Sequence, residues 1–313
     1  MLELNNIYTM DCISGLNQLD DNIVDLIVTS PPYNVDLGNN KYNKNPYNLY
    51  NDNKEHHEYI AWLKKIFQLA YQKLKSGGRV CINIGDGKNG SVPTHSDVIQ
   101  MMCNIGYIPM TIIVWDKCQT SNRASWGSYL SPSSPSFPRP FEYILVFAKE
   151  NKKLQYKGET DLTREEFIEW SNGLWKFAPE NRQKKFGHPA MFPEELPKRC
   201  IKMFTWTDGL VVDIFNGAGT TTKVAKDLSR KYIGFDISEE YCNIARERWV
   251  GSLTFDGIKY AKRFDAIDEA IEYRRILEEE HFKEYAPSGN INNIPTMTET
   301  EIQRLKDNWK GEL

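Results

Sequence analysis
The sequence predicts an α/β protein built on a doubly wound, mostly parallel sheet with helices on both faces. Three observations carry that prediction. Several short runs rich in Val and Ile show no polar alternation, as strands buried on both faces require. Segments with helical spacing separate these runs, giving the rhythm of layered α/β folds. One late strand also runs straight into a glycine turn and a helix, at Asp213–Thr222 (DIFNGAGTTT).

In chain order, Ile23–Ser30 (IVDLIVTS) reads as a strand that stops at Pro31-Pro32. Tyr59, Leu63, Ile66, Phe67, Ala70 and Leu74 keep helical spacing, and Gly77-Gly78 reads as the stop of that helix. RVCINIGD follows as a strand, then TIIVWDK (Thr111–Lys117) and EYILVFAK (Glu142–Lys149). Late in the chain LVVDIF (Leu210–Phe215) and KYIGFDI (Lys231–Ile237) flank a helix-like TTKVAKDLSR. Asn34–Asn53 is crowded with Asn and Tyr and reads as a mobile loop, and Ser131–Pro140 as a Pro/Ser loop. The expected organisation is a main domain over 1–250 and a helical C-terminal extension over 251–313, entered through a polar stretch.

Bulk properties narrow the class. The chain has 313 residues, 40% hydrophobic and 26% charged, as an ordinary globular protein does. It holds no run of about 18 apolar residues, and MLELNNIYTMDC has neither the basic nor the apolar region of a secretory signal. The expectation is a cytoplasmic protein with no membrane partner. Its six cysteines stand far apart with no C-x-x-C pair, so neither a zinc site nor a disulfide framework is expected. The net charge of −3 is no footprint of a polyanionic partner. Yet residues 115–205 carry 15 Lys+Arg against 11 Asp+Glu, while 251–313 carry 9 against 13. A near-neutral total leaves room for a basic face.

Two stretches carry chemistry. In DIFNGAGTTT, Gly217 and Gly219 permit a tight turn and close approach of a ligand, and the helix beyond offers N–H donors to an anion. Asp236 closes the next strand 23 residues after Asp213, where a carboxylate can accept ribose hydroxyls. A tight turn that binds nothing, a dinucleotide site, and a site for a nucleoside with a carboxylate tail all fit. Thr222 stands where the dinucleotide fingerprint wants its third Gly, which favours the last over the second. The other stretch is Thr29-Ser30-Pro31-Pro32-Tyr33-Asn34. Two prolines remove N–H donors and leave carbonyls as acceptors, Ser30 adds a hydroxyl, and Tyr33 a flat ring. Alone, that turn reads equally as a rigid corner over a buried tyrosine.

Together, TSPPYN early and DIFNGAGTT late resemble the β-class DNA amino-methyltransferases, in which the catalytic motif precedes the cofactor motif. The likeness runs from about Asn5 to Trp249 and includes LKSGG before RVCINIGD, WGSYLSPSSPSFPRPFEYILVFAK, GHPAMFPEELPKR and RKYIGFDIS. It implies a seven-stranded Rossmann-like methyltransferase sheet with inserted DNA-recognition elements, and S-adenosylmethionine as methyl donor. Ser30, Pro31, Pro32 and Tyr33 then stand as the catalytic tetrad. Asp213, Phe215, Gly217, Gly219, Thr220 and Thr221 stand as the cofactor loop, and Asp236 as the ribose ligand. His188, Pro189 and Phe192 resemble the segment over the methionine end, and Asp11 the acidic residue at the adenine. Ile214 departs from the family, which usually has Pro there.

The implied chemistry is methylation of an exocyclic amino group on a base flipped out of duplex DNA. Relatives with Ser at the first tetrad position mostly act on cytosine N4, those with Asp or Asn on adenine N6. N4-cytosine is therefore expected, with N6-adenine as the alternative. C5-cytosine chemistry is not, since no Pro-Cys dipeptide exists and Cys12 and Cys81 read as core thiols. A catalytically silent DNA-binding module, or a methyltransferase for RNA or a small molecule, are the competing classes. Target recognition is expected in 118–139 and 151–187. There Arg123 and Arg139 are candidates to read guanine edges, and Lys176, Arg182, Lys184 and Lys185 to meet phosphates. The Asn-rich segment after Tyr33 is a candidate lid over the flipped base. A cognate restriction endonuclease and a second copy of the chain complete the expected partners.

Overall fold
A computed structural model describes residues 2–34, 54–87, 90–118, 131–135, 137, 139–180, 191–247, 252–255 and 258–261. The chain divides into two compact units, residues 1–246 and 247–313.

The first unit is an eight-stranded sheet. Its strands are β1 (Asn6–Thr9), β2 (Val24–Thr29), β3 (Leu74–Ile84), β4 (Tyr107–Asp116), β5 (Phe141–Lys149), β6 (Leu174–Lys176), β7 (Leu210–Asp213) and β8 (Lys231–Asp236). They lie in the order β1-β8-β7-β2-β3-β5-β4-β6. β1, β8, β7, β2 and β3 are mutually parallel, β5 runs antiparallel to both β3 and β4, and β4 is parallel to β6. The expected seven strands are joined by β6, a three-residue edge strand in the predicted insertion 151–187. Three residues carry too little pattern to be read from sequence. The four residues of β1 carry little more.

The helices are α1 (Cys12–Asn17), α2 (His56–Lys73), α3 (Thr94–Ile105), α4 (Arg164–Trp170), α5 (Glu195–Phe204), α6 (Thr220–Asp227) and α7 (Glu239–Glu247). Leu16 of α1, Leu63, Ile66 and Phe67 of α2, and Met101 and Met102 of α3 share one buried cluster with Ile27, Val80, Ile82, Leu145 and Phe147 of the sheet. Each such large side chain, fully buried, contributes about 1.5–3 kcal/mol. The strand residues that alternate with these face the other way. There the Cys81 thiol meets Cys200 of α5, and Thr221 of α6 donates to the Val28 carbonyl at 3.3 Å. Both faces are therefore covered, as unalternated strands require.

Gly77-Gly78 does not cap α2. The helix ends at Lys73 and β3 begins at once, with Val24 opposite Leu74 but Leu26 opposite Arg79. The extra residues of that bulge include Gly77 at φ +77°, where a Cβ would stand 2.5 Å from the Lys153 carbonyl oxygen. The pair serves a bulge in the strand.

In the second unit, β9 (Ser252–Phe255) and β10 (Ile258–Ala261) form an antiparallel hairpin with Phe255 opposite Ile258. The sequence between them is Asp256-Gly257, the pair that two-residue hairpin turns favour. The expected organisation names no strand there. The helical segments expected after it lie outside the described residues.

No helix among the described residues is long and apolar enough to cross a membrane. Cys12, Cys81, Cys200 and Cys242 are buried free thiols, and Cys103 and Cys118 exposed ones.

Candidate active site
The connections reverse direction between β7 and β2: the chain winds from β2 toward β3, and from β7 toward β8. Ligands of open α/β sheets bind beyond the carboxyl ends of the strands at such a reversal. Both sequence motifs end there. Asp213 closes β7 and Ser30 follows β2. Thr29, fully buried, donates its hydroxyl to Asp213 Oδ1 at 2.7 Å, joining the motifs across 184 residues.

On the β7–β8–β1 side, carboxylates hold backbone N–H groups. Asp213 accepts from Phe215 N at 3.1 Å. Burial pushes its carboxyl up to about 6, despite the hydrogen bonds from Thr29 and the Phe215 N–H. Asp236, at the end of β8, accepts from Gly217 N and from Ser238 N, each at 2.8 Å. Burial also raises its carboxyl above the ordinary range, against those same N–H groups. Asp11 lies beyond β1, whose Thr9 is in register with Asp236. It caps α1, accepting from Ile13 N at 2.9 Å and Ser14 N at 3.4 Å.

The loop between β7 and α6 is as tight as its glycines suggest. Gly217 has φ +48° and Gly219 φ +78°, and a Cβ on Gly219 would lie 2.6 Å from that of Ala245. Ile214 is buried in the core. Phe215 packs on Trp62 at 5.6 Å between ring centroids. Thr220 and Thr221 are buried at the start of α6. Thr221 spends its hydroxyl on β2, so only its main chain is available to a ligand. Asn216 gives its carbonyl oxygen to Thr222 at 2.9 Å, while its Nδ2 is buried with no protein acceptor. An α6 N-terminus, an unpartnered Asn216 amide beside it and carboxylates at two strand ends together fit a nucleoside with an amino-acid tail.

The other side is built from side chains that meet one another. Ser30 Oγ lies 3.1 Å from the Asn83 carbonyl and 3.2 Å from Tyr33 Oη, and can donate to either. Tyr33 Oη donates to Glu142 Oε2 at 2.9 Å. Asn83 Nδ2 donates to Tyr33 Oη at 2.7 Å and to Glu142 Oε2 at 2.8 Å. Lys117 Nζ pairs with Glu142 Oε1. Burial, with the Glu142 charge next, raises the Tyr33 hydroxyl well above its ordinary range, so it stays a neutral donor. Asn83, Lys117 and Glu142 join Ser30 and Tyr33 in this cluster, and the sequence alone does not single them out. Their signals are faint: an Asn inside VCINIG and a Glu heading an otherwise apolar strand.

Among the recognition candidates, Arg139 is tied to Asp86 at 2.7 Å and to the Gly90 carbonyl at 3.4 Å, and Asp86 also holds His95 at 2.6 Å. Reading a base would require that pair to open. Lys176 is exposed at the end of β6, in register with Asp116. Phe192 is half-buried just before α5. Arg123, Arg182, Lys184, Lys185, His188 and Pro189 lie outside the described residues, as does the candidate lid over 35–53. The ends of that segment meet where Asn34 exchanges two 2.7 Å hydrogen bonds with the Lys54 backbone. No cluster of metal-ligating side chains occurs among the described residues.

Known proteins resemble this chain in sequence and in fold. A family model described as DNA methylase matches residues 24–247. Type II methyltransferase M.MjaVI of Methanocaldococcus jannaschii is 40% identical over 183 residues, covering 55% of this chain and 90% of its own. M.MjaI of the same organism is 31% identical over 269 residues, covering 74% and 87%. Two solved structures share the fold. TTHA0409 of Thermus thermophilus, complexed with S-adenosyl-L-methionine, matches at TM-score 0.61 and 23% identity over 78% of this chain and 92% of its own. PvuII DNA methyltransferase, cytosine-N4-specific, matches at TM-score 0.60 and 23% identity over 87% and 92%. From the match that runs from β2 into α7, and from the two motifs meeting at the sheet reversal, the chain belongs to the DNA methylase family of N6/N4 amino-methyltransferases and is a site-specific DNA amino-methyltransferase.

Proposed function
We propose that the protein methylates the N4 amino group of cytosine in duplex DNA, with S-adenosylmethionine as donor. The observation that carries this reading is Ser30. Its single proton is drawn toward Asn83 or Tyr33, which leaves its lone pairs for a base amino group. The amino lone pair of cytosine is conjugated with the ring and weakly nucleophilic. Hydrogen bonds to Ser30 and a neighbouring Pro carbonyl draw the nitrogen toward tetrahedral geometry and aim its lone pair. S-adenosylmethionine, when bound, supplies an electrophilic methyl group, and transfer is a direct displacement governed by positioning.

Asp236 and Asp11 would hold the nucleoside hydroxyls and adenine edge, and the α6 N-terminus with Asn216 the carboxylate end. His188, Pro189 and Phe192 would cover the methionine end. The base must leave the helix at roughly a few kcal/mol, and stacking on Tyr33 returns about 1–3 kcal/mol. The serine supports cytosine over adenine through the pattern among relatives. The residues of 118–139 and 151–187 would choose the sequence.

The test is methyl transfer from labelled S-adenosylmethionine to duplex DNA of mixed sequence, with nucleoside analysis and an RNA duplex in parallel. N4-methylcytosine in DNA is the expected product. N6-methyladenine alone would overturn the choice of base while keeping the class.

A further inference from the structure
We propose that Glu142, paired with Lys117, is a positioning residue that sets the direction of the hydrogen-bond chain ending at Ser30. The proposal rests on the methyl-transfer reading above. A carboxylate can only accept hydrogen bonds. One Glu142 oxygen takes Lys117, and the other takes both Tyr33 Oη at 2.9 Å and Asn83 Nδ2 at 2.8 Å. The single Tyr33 proton is thereby committed to Glu142. Its oxygen then has only lone pairs to offer, and it receives Asn83 Nδ2 at 2.7 Å. Ser30 therefore meets two acceptors, Tyr33 Oη and the Asn83 carbonyl, and must donate to one of them. With its proton spent inward, Ser30 has only acceptor capacity left for a base.

The same logic orients Asn83. Its amide nitrogen must face the carboxylate, and its Oδ1 is left buried without a partner. Asn83 is 3% exposed and the side chain of Glu142 13%, so water competes little for these bonds. A neutral amide at position 142 would remove the constraint. Its NH2 group could donate to Tyr33, Tyr33 could then donate to Ser30, and one of the two serine lone pairs would be taken from the base.

The experiment compares wild type with E142Q and E142D as full chains on duplex DNA, under single and multiple turnover. Glutamine keeps the length of the side chain but can donate, whereas aspartate is shorter but accepts only. A role in shape alone favours E142Q, and the direction-setting role favours E142D. We expect E142Q to lose roughly 100-fold in kcat, with KM for DNA and cofactor within about threefold of wild type. E142D should retain more activity than E142Q. In an S30A background E142Q should cause little further loss, because it acts through Ser30. Should E142Q fail to fold, E142M also cannot accept the Tyr33 proton, frees it for Ser30, and is expected to show the same split between kcat and KM. An E142Q enzyme as fast as wild type, or faster than E142D, overturns the proposal, as does an E142M variant at full rate. A wild-type protein that methylates no DNA overturns the underlying reading instead.

Discussion
The two halves of the strand-end crevice are built on different principles. Around β7, β8 and β1, three aspartates accept backbone N–H groups within a few residues of themselves: Asp213 from Phe215, Asp236 from Ser238, and Asp11 from Ile13. Around β2, β3, β4 and β5, five side chains between positions 30 and 142 meet one another and use little local backbone. On the proposed reading the first half is a mould for the cofactor. The second is a switchable chain of donors and acceptors, whose state decides what Ser30 offers to a base.

If that division is right, variants on the two sides separate binding from rate. Ser30→Ala should give the largest effect, a single-turnover rate lower by roughly 10²–10³-fold, in line with the loss of one positioned polar group in an active site. Its affinity for S-adenosylmethionine, read by calorimetry, should be unchanged. Asp236→Ala should do the converse. Removing a buried charged acceptor weakens cofactor binding by about 10–100-fold, with near-normal rate once cofactor saturates. A Ser30→Ala protein that bound cofactor as poorly as Asp236→Ala would erase the distinction.

A smaller effect tests how far the mould is strained when empty. The Asp213 carboxyl sits at about 6 in the fold, above its ordinary value near 3.8, because burial disfavours its charge. The folded state thus binds the extra proton. Asp213 stabilises most below its unfolded value, and that contribution is lost as pH rises through about 6. Asp213→Asn carries no charge to bury, and its carbonyl can still accept from Thr29. The variant should gain on wild type between pH 5 and pH 8, by about 1–2 kcal/mol in urea unfolding without cofactor. A stability difference that is the same at both pH values would show that Asp213 is not charged and strained in the empty fold.

The contrast between the halves also explains what can be read from sequence. TSPPYN, DIFNGAGTT and Asp236 are legible because each is a short contiguous run or a strand end whose residue types mark it without reference to the rest of the fold. Strands such as Val24–Thr29 and Phe141–Lys149 are legible because burial on both faces leaves apolar runs, Leu26–Val28 and Ile144–Ala148, with no polar alternation. Glu142, Asn83 and Lys117 are not, since their roles exist only after β5 inserts antiparallel between β3 and β4. Gly77-Gly78 misleads because a glycine pair after a helix suits a cap and a bulge equally.

The smallest effect separates two lysines at neighbouring strand ends. Lys117 follows β4 and is taken up by Glu142, while Lys176 ends β6, in register with Asp116, and is exposed. An exposed lysine on this edge has long-range charge to give a phosphate, and a paired, mostly buried one has little. Lys176→Ala should weaken binding to all duplexes alike and lower the slope of log K against log salt by about 1. Its single-turnover rate at saturating DNA should match wild type. Lys117→Met should leave the salt slope unchanged and slow the reaction, because it withdraws a partner from the carboxylate that directs Tyr33. If both variants altered only the salt slope, Lys117 would belong to the DNA-facing rim and not to the hydrogen-bond chain behind Ser30.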